Sequence, residues 1–158
     1  MKRNSDIFLV KLEREGKLKR QKVDLGYLND LLDAAKRNFD AARVVRGKVD
    51  EAAFKLFYDG LLQVSRVVVL LSGYRPDNGE QHKTTFLAAG EILGPEYADL
   101  IRKIQKFRIK RNECIYDPRG LIGKSDAGAI DQTANEFCGK VRSYLEKENP
   151  QLKLFKEV

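Results

Sequence analysis

The stretch Asp50-Glu-Ala-Ala-Phe-Lys-Leu-Phe-Tyr-Asp-Gly-Leu-Leu-Gln-Val-Ser-Arg-Val-Val-Val-Leu-Leu71 decides the fold. Ala52, Ala53, Phe54, Leu56, Phe57, Leu61, Leu62, Val64, Val67, Val68, Leu70 and Leu71 cover nearly the whole circumference of a helix. A helix without a strong polar face is surrounded by others, so this one is the centre of an all-α core. Asp50 is its expected cap and Gly73 its stop. Asp59 interrupts the apolar surface between Tyr58 and Gly60.

Further helices flank this centre. Asp24 caps a long helix with Leu25, Leu28, Leu31, Leu32, Ala35, Phe39, Ala42 and Val45 at helical spacing, ended by Gly47. Before it, Ser5 to Glu15 reads as a short helix stopped at Gly16; a hairpin from Ile7–Arg14 and Lys17–Val23 is the weaker alternative. After the centre, Gly73 to Lys83 is a loop with turn chemistry at Pro76, Asp77, Asn78 and Gly79. A helix over about Lys83–Leu93 meets the stop-then-start pair Gly94-Pro95, and the next helix runs to Tyr116. A loop over Asp117–Lys124 precedes a last helix, capped by Ser125 or Asp126 and ended by Asn149-Pro150. There is no convincing alternating strand and no internal repeat. The expected architecture is an up-and-down bundle of four to five main helices. A basic N-terminal extension takes up residues 1–22, the bundle 23–148 and a tail 149–158.

With 158 residues, 42% apolar and 34% charged, the chain has the composition of one globular domain. The longest apolar run, Val67–Leu71, is far below the ~20 residues of a membrane span, and no signal-peptide pattern follows Lys2 and Arg3. The expectation is a cytoplasmic protein with no membrane contact. Cys114 and Cys138 are expected as reduced apolar fillers, and one histidine with two distant cysteines leaves no structural zinc site. No cofactor and no metal are expected. The net charge of +7 and the pI near 9.4 favour an anionic partner. The excess cations lie in two groups, one from Lys2 to Lys22 and one from Arg102 to Arg111.

Two phosphate-type motifs fail. Gly123-Lys124-Ser125 resembles the end of a P-loop, but Pro118 stands where the first glycine is required and no strand precedes it. Gly120-Leu121-Ile122-Gly123 has the form of an RNA-clamping GxxG loop without the sheet such a domain needs.

Arg111 is the informative departure from pattern. On the helix that buries Tyr97, Leu100, Ile101, Ile104 and Phe107, it falls within roughly 20° of Ile104, where an apolar residue belongs. A guanidinium there needs a partner or a wet cavity. Either it caps carbonyls or pairs with an internal acid such as Asp59, or Arg111 and Asn112 face a groove and bind an anion, a phosphate first of all. Arg108 and Lys110 add positive charge alongside. His82, the sole histidine, lies in a loop at a helix start, between Gln81 and Lys83, where it is a capping or surface group or, through its ordinary pKa, a general base.

The small and aromatic central helix, Gly73-Tyr74-Arg75-Pro76, and the late Arg111-Asn112-x-x-x-Tyr116 together resemble the HEPN domains, over roughly Asp24 to Lys147. These are α-helical domains of toxin–antitoxin, defence and RNA-processing systems. Many are homodimeric, metal-independent ribonucleases, and many are partnered by a minimal nucleotidyltransferase. Their signature is an Arg, often followed by Asn, with a His four to six residues after the Arg. The resemblance implies a homodimer binding RNA or a nucleotide, with Arg111, Asn112 and Tyr116 at the catalytic positions and Arg108, Lys110 and His82 holding substrate. It implies either a ribonuclease or a non-catalytic interaction module beside a nucleotidyltransferase. Tyr116 stands where the family has histidine, and a phenol with pKa near 10 is a poor base at neutral pH.

Overall fold

The computed structural model describes residues 4–152. Lys2 and Arg3 of the first basic group, and residues 153–158 of the expected tail, lie outside them. Six helices pack together: α1 (Asn4–Arg14), α2 (Leu25–Val45), α3 (Asp50–Leu71), α4 (Gln81–Leu93), α5 (Ala98–Tyr116) and α6 (Lys124–Glu148). A single 3-10 turn, Pro95–Tyr97, leads into α5. The fold is an all-α bundle, as the central stretch predicts.

α3 is the hub. Phe54, Phe57, Tyr58, Leu61, Val64, Val67 and Val68 are all buried, and it packs against α2, α4 and α6. Phe39 of α2 lies close over Gly60 of α3; a Cβ built there would be 2.5 Å from Phe39 Cε1, so only a glycine admits the ring. Phe86 of α4 and Phe137 of α6 complete the aromatic centre. α2 and α6 are also tied by charge. Asp131 of α6 is buried, and its carboxylate pairs with Arg46 and lies 3.6 Å from Nε of Arg43, both on α2 or its end.

The helix ends follow the expected chemistry in part. The Asp24 side chain accepts from Tyr27 N–H at 3.1 Å, and Gly94 ends α4 at φ +112°, a conformation that side chains resist. Asp50 lies within α3 instead of capping it; its carboxylate accepts from the Gly47 N–H at 2.7 Å and holds the preceding turn. At α6, Asp126 is the capping acid rather than Ser125, accepting from Gly123 N–H at 2.9 Å one turn back. α4 begins at Gln81, two residues ahead of expectation, which brings His82 into its first turn.

The expectation of no strand is corrected. β1 (Leu18–Arg20) pairs antiparallel with β2 (Tyr74–Pro76), Leu18 opposite Pro76 and Arg20 opposite Tyr74. Bonds from Gln21 N–H to Gly73 O and from Asp77 N–H to Lys17 O extend the ladder, each at 2.9 Å. Three residues per strand are too few for alternation to register in sequence. The pairing draws the N-terminal segment into the bundle, where Leu9, Leu12 and Leu18 join the same core.

Candidate functional site

α5 is fastened to the bundle chiefly along one line. Leu100 and Ile104 are buried, Ile101 and Phe107 are partly buried, and Phe107 meets the Phe54 ring edge-on at 5.7 Å between centroids. Tyr97, just before α5, donates its hydroxyl to Lys140 O at 3.0 Å. This docking aims the next two turns of α5 at α3 and at the start of α4.

Arg108 and Asn112 are one turn apart on the same side of α5, and both line a groove of about 560 Å³. Its other wall is the loop from Asn78 to Glu80 and the first turn of α4, Gln81 to Lys83. Asn78 donates to Thr84 Oγ1 at 3.1 Å, holding the loop against α4. Gln105 donates to Lys83 O at 3.2 Å and accepts from Arg108 Nε at 2.7 Å, which ties α5 to α4 and orients the Arg108 guanidinium. Among the described residues Glu80 is the one carboxylate lining the groove, and its side chain is two-thirds exposed.

Behind the groove lies a buried layer. Tyr58 of α3 is fully buried, and its hydroxyl is 3.0 Å from His82 Nδ1. The Phe86 ring packs on Tyr58 edge-on, and the Arg111 guanidinium lies 5.1 Å from the Tyr58 ring centroid. Arg111 Nη2 is 3.9 Å from Asp59 Oδ1, too long for a hydrogen bond. Arg111 Nε is buried with no acceptor among the described residues, and the same holds for Nε of Arg66 on α3. Arg111 is therefore directed inward, with a side chain 24% exposed, a cation-π contact and a loose ion pair.

The electrostatics follow from this crowding. Burial raises the Tyr58 phenol to about 12, against the opposing pull of Arg111 and Arg108. Burial likewise raises the Asp59 carboxyl, partly offset by Arg111 and His82. His82 is pushed below the ordinary imidazole value, by burial first and then by Arg111, Arg108 and Arg66, with Asp59 opposing. The neutral imidazole is thereby favoured over the charged one. Its depressed pKa favours the folded state above the unfolded value of about 6.5, and that contribution is lost as pH falls through the folded value. In a proton-NMR titration the sole imidazole should have a midpoint below 6.5. His82→Gln should flatten the loss of stability that sets in below about pH 6.5 in denaturant melts.

Of the six residues singled out from sequence, Arg108, Asn112 and His82 come together in the groove and Arg111 sits directly behind it. Two do not join them. Lys110 turns the other way and donates to Asp126 of α6 at 2.8 Å. Tyr116, the last residue of α5, lies one turn beyond Asn112, is 87% exposed and is not among the described residues that line the groove. Tyr58 and Arg66 were not anticipated. A tyrosine at a core position of α3 was the available signal, since a buried phenol needs a polar partner. Among the described residues no cluster of three His, Cys, Asp or Glu could hold a metal ion. Cys114 and Cys138 are free and buried, and burial raises both thiols. No described helix is long and apolar enough to cross a membrane. No family model, curated protein or solved structure matches this chain.

Proposed function

We propose that this bundle is a HEPN-like domain that binds the phosphates of RNA or of a nucleotide in the groove between α4 and α5. One observation carries the reading: Arg108 lines the groove beside His82 and Asn112 without a carboxylate partner among the described residues, and Arg111 lies behind it over the Tyr58 ring with only a loose pairing to Asp59. Positive charge gathered beside a groove, with a single exposed acid at its rim, is completed by an anion. Arg108 and Asn112 offer directional donors at the surface, while Arg111 supplies field from behind. On this reading a second copy of the chain and a minimal nucleotidyltransferase are the expected protein partners.

The test is binding of a fluorescent single-stranded RNA, in chelator, at several salt concentrations. Binding should weaken steeply with salt, and Arg108→Ala should weaken it about tenfold, the scale of one charge-assisted hydrogen bond. Unchanged binding in Arg108→Ala removes the reading. A second reading has its own support: the cation-π contact and the pairing with Asp59 suit Arg111 as a brace between α3 and α5. If Arg111→Ala lowers thermal stability and leaves RNA affinity intact, the brace is its whole role.

A further inference from the structure

The direction of one hydrogen bond determines what the groove can hold. The Tyr58 hydroxyl is buried, and His82 Nδ1 is its only hydrogen-bond partner among the described residues. A buried O–H that fails to donate loses the full cost of its desolvation. Were His82 to carry its proton on Nδ1, the phenol proton would have no acceptor. With the imidazole neutral, the satisfied arrangement has Tyr58 O–H donating to Nδ1 and the ring proton on Nε2. Nδ1 is engaged inward, so Nε2 is the ring nitrogen left for the groove that His82 lines.

We propose that Tyr58 fixes His82 as a hydrogen-bond donor, so that Nε2–H, the Arg108 guanidinium and the Asn112 amide together take a phosphoryl group and hold it without a general base. This rests on the functional reading above and narrows it to a site that binds a phosphate ester and leaves it intact. The phosphoryl oxygens are acceptors only, which is the complement of a donor-rich wall. Removing a ribose hydroxyl proton would require a bare Nε2, and that form strands the Tyr58 proton. Tyr58 is a positioning residue here, acting through the imidazole.

Because His82 is the only histidine, nitrogen-15 labelling of histidine reports this ring alone. Spectra of the ligand-free protein at pH 8 should show the proton on Nε2. Tyr58→Phe keeps the ring, and with it the contacts to Phe86 and Arg111. It should yield a mixture of the two tautomers at unchanged helicity, and about threefold weaker binding. Inorganic phosphate, adenosine monophosphate and a uridine oligonucleotide are then titrated separately. A shift of the Nε2 signal with phosphate alone identifies a site for the phosphoryl group itself. A shift only with the monophosphate or oligonucleotide places a nucleoside in the groove as well; both support the proposal. A proton found on Nδ1 overturns it even if RNA binds. So does metal-free cleavage of the oligonucleotide that is lost in His82→Gln. An Nε2 proton in a protein that binds none of the three probes overturns it by removing the functional reading beneath it.

Discussion

Gly60→Ala should cost the protein about 1–2 kcal/mol, although alanine is the better helix former. The added methyl would lie 2.5–2.9 Å from three carbons of the Phe39 ring, and Phe39 is fully enclosed, with no free space to swing into. The helical preference for alanine returns about 1 kcal/mol. Overpacking of a dense core costs roughly 1–3 kcal/mol, and more where a ring must be displaced. The second effect wins because the clash is with a rigid aromatic rather than with the end of a flexible chain. Denaturant melts should show a lower midpoint with an unchanged slope. Phe39→Leu in the Gly60→Ala background should recover part of the loss, and the cycle of single and double variants should show clear coupling. A Gly60→Ala protein as stable as the parent would mean that α2 and α3 are not held at this spacing. The effect should also reach the groove, since Tyr58 and Asp59 are the residues immediately before Gly60 on α3.

The second large effect is expected at Asp131. Its carboxylate is buried, and it receives Arg46, Arg43 and the amide of Asn135, which itself accepts from Arg43 at 2.9 Å. Asp131→Ala leaves two guanidiniums facing each other beside a void. Complete burial of such a stranded charge costs about 3–5 kcal/mol. The Arg43 and Arg46 side chains are 30% and 40% exposed, so water recovers part of it. A loss of about 2 kcal/mol is expected, a fall in melting temperature of roughly 4–8 °C for a domain of this size. Asp131→Asn, which keeps the shape and one acceptor, should lose about half as much. Equal melting of Asp131→Ala and the parent would reduce this cluster to a surface ion pair.

The helices were legible because their signals are local and redundant. α3 announces itself by apolar residues all round, α2 by its leucine spacing and the Asp24 cap, and the α4–α5 junction by Gly94 and Pro95. The β1–β2 pair was not legible. Its stability comes from bonds between segments far apart in the chain and from the burial of Leu18, neither of which leaves a local pattern. The misplaced charge of Arg111 points to the end of α5 that borders the groove, because a cation on an apolar stripe contradicts its surroundings. Lys110 and Tyr116 are not among the described residues that line the groove. Neighbours in sequence diverge in space: helical rotation turns Lys110 to α6, while Tyr116, at the end of the helix, is exposed to solvent. The link between Tyr58 and His82 depends on how α4 packs across α3, a tertiary fact that neither segment states by itself.

The short ladder between β1 and β2 also bears on how the chain is made. Leu18 finds its strand partner only after Pro76 has emerged from the ribosome, on the order of several seconds later at ordinary elongation rates. Until then Leu9, Leu12 and Leu18 have no groove to enter, and the first helix must wait as an undocked apolar segment. The segment from α1 to β1 thus emerges well before the strand that fastens it, and over that interval it is open to a nascent-chain binding factor.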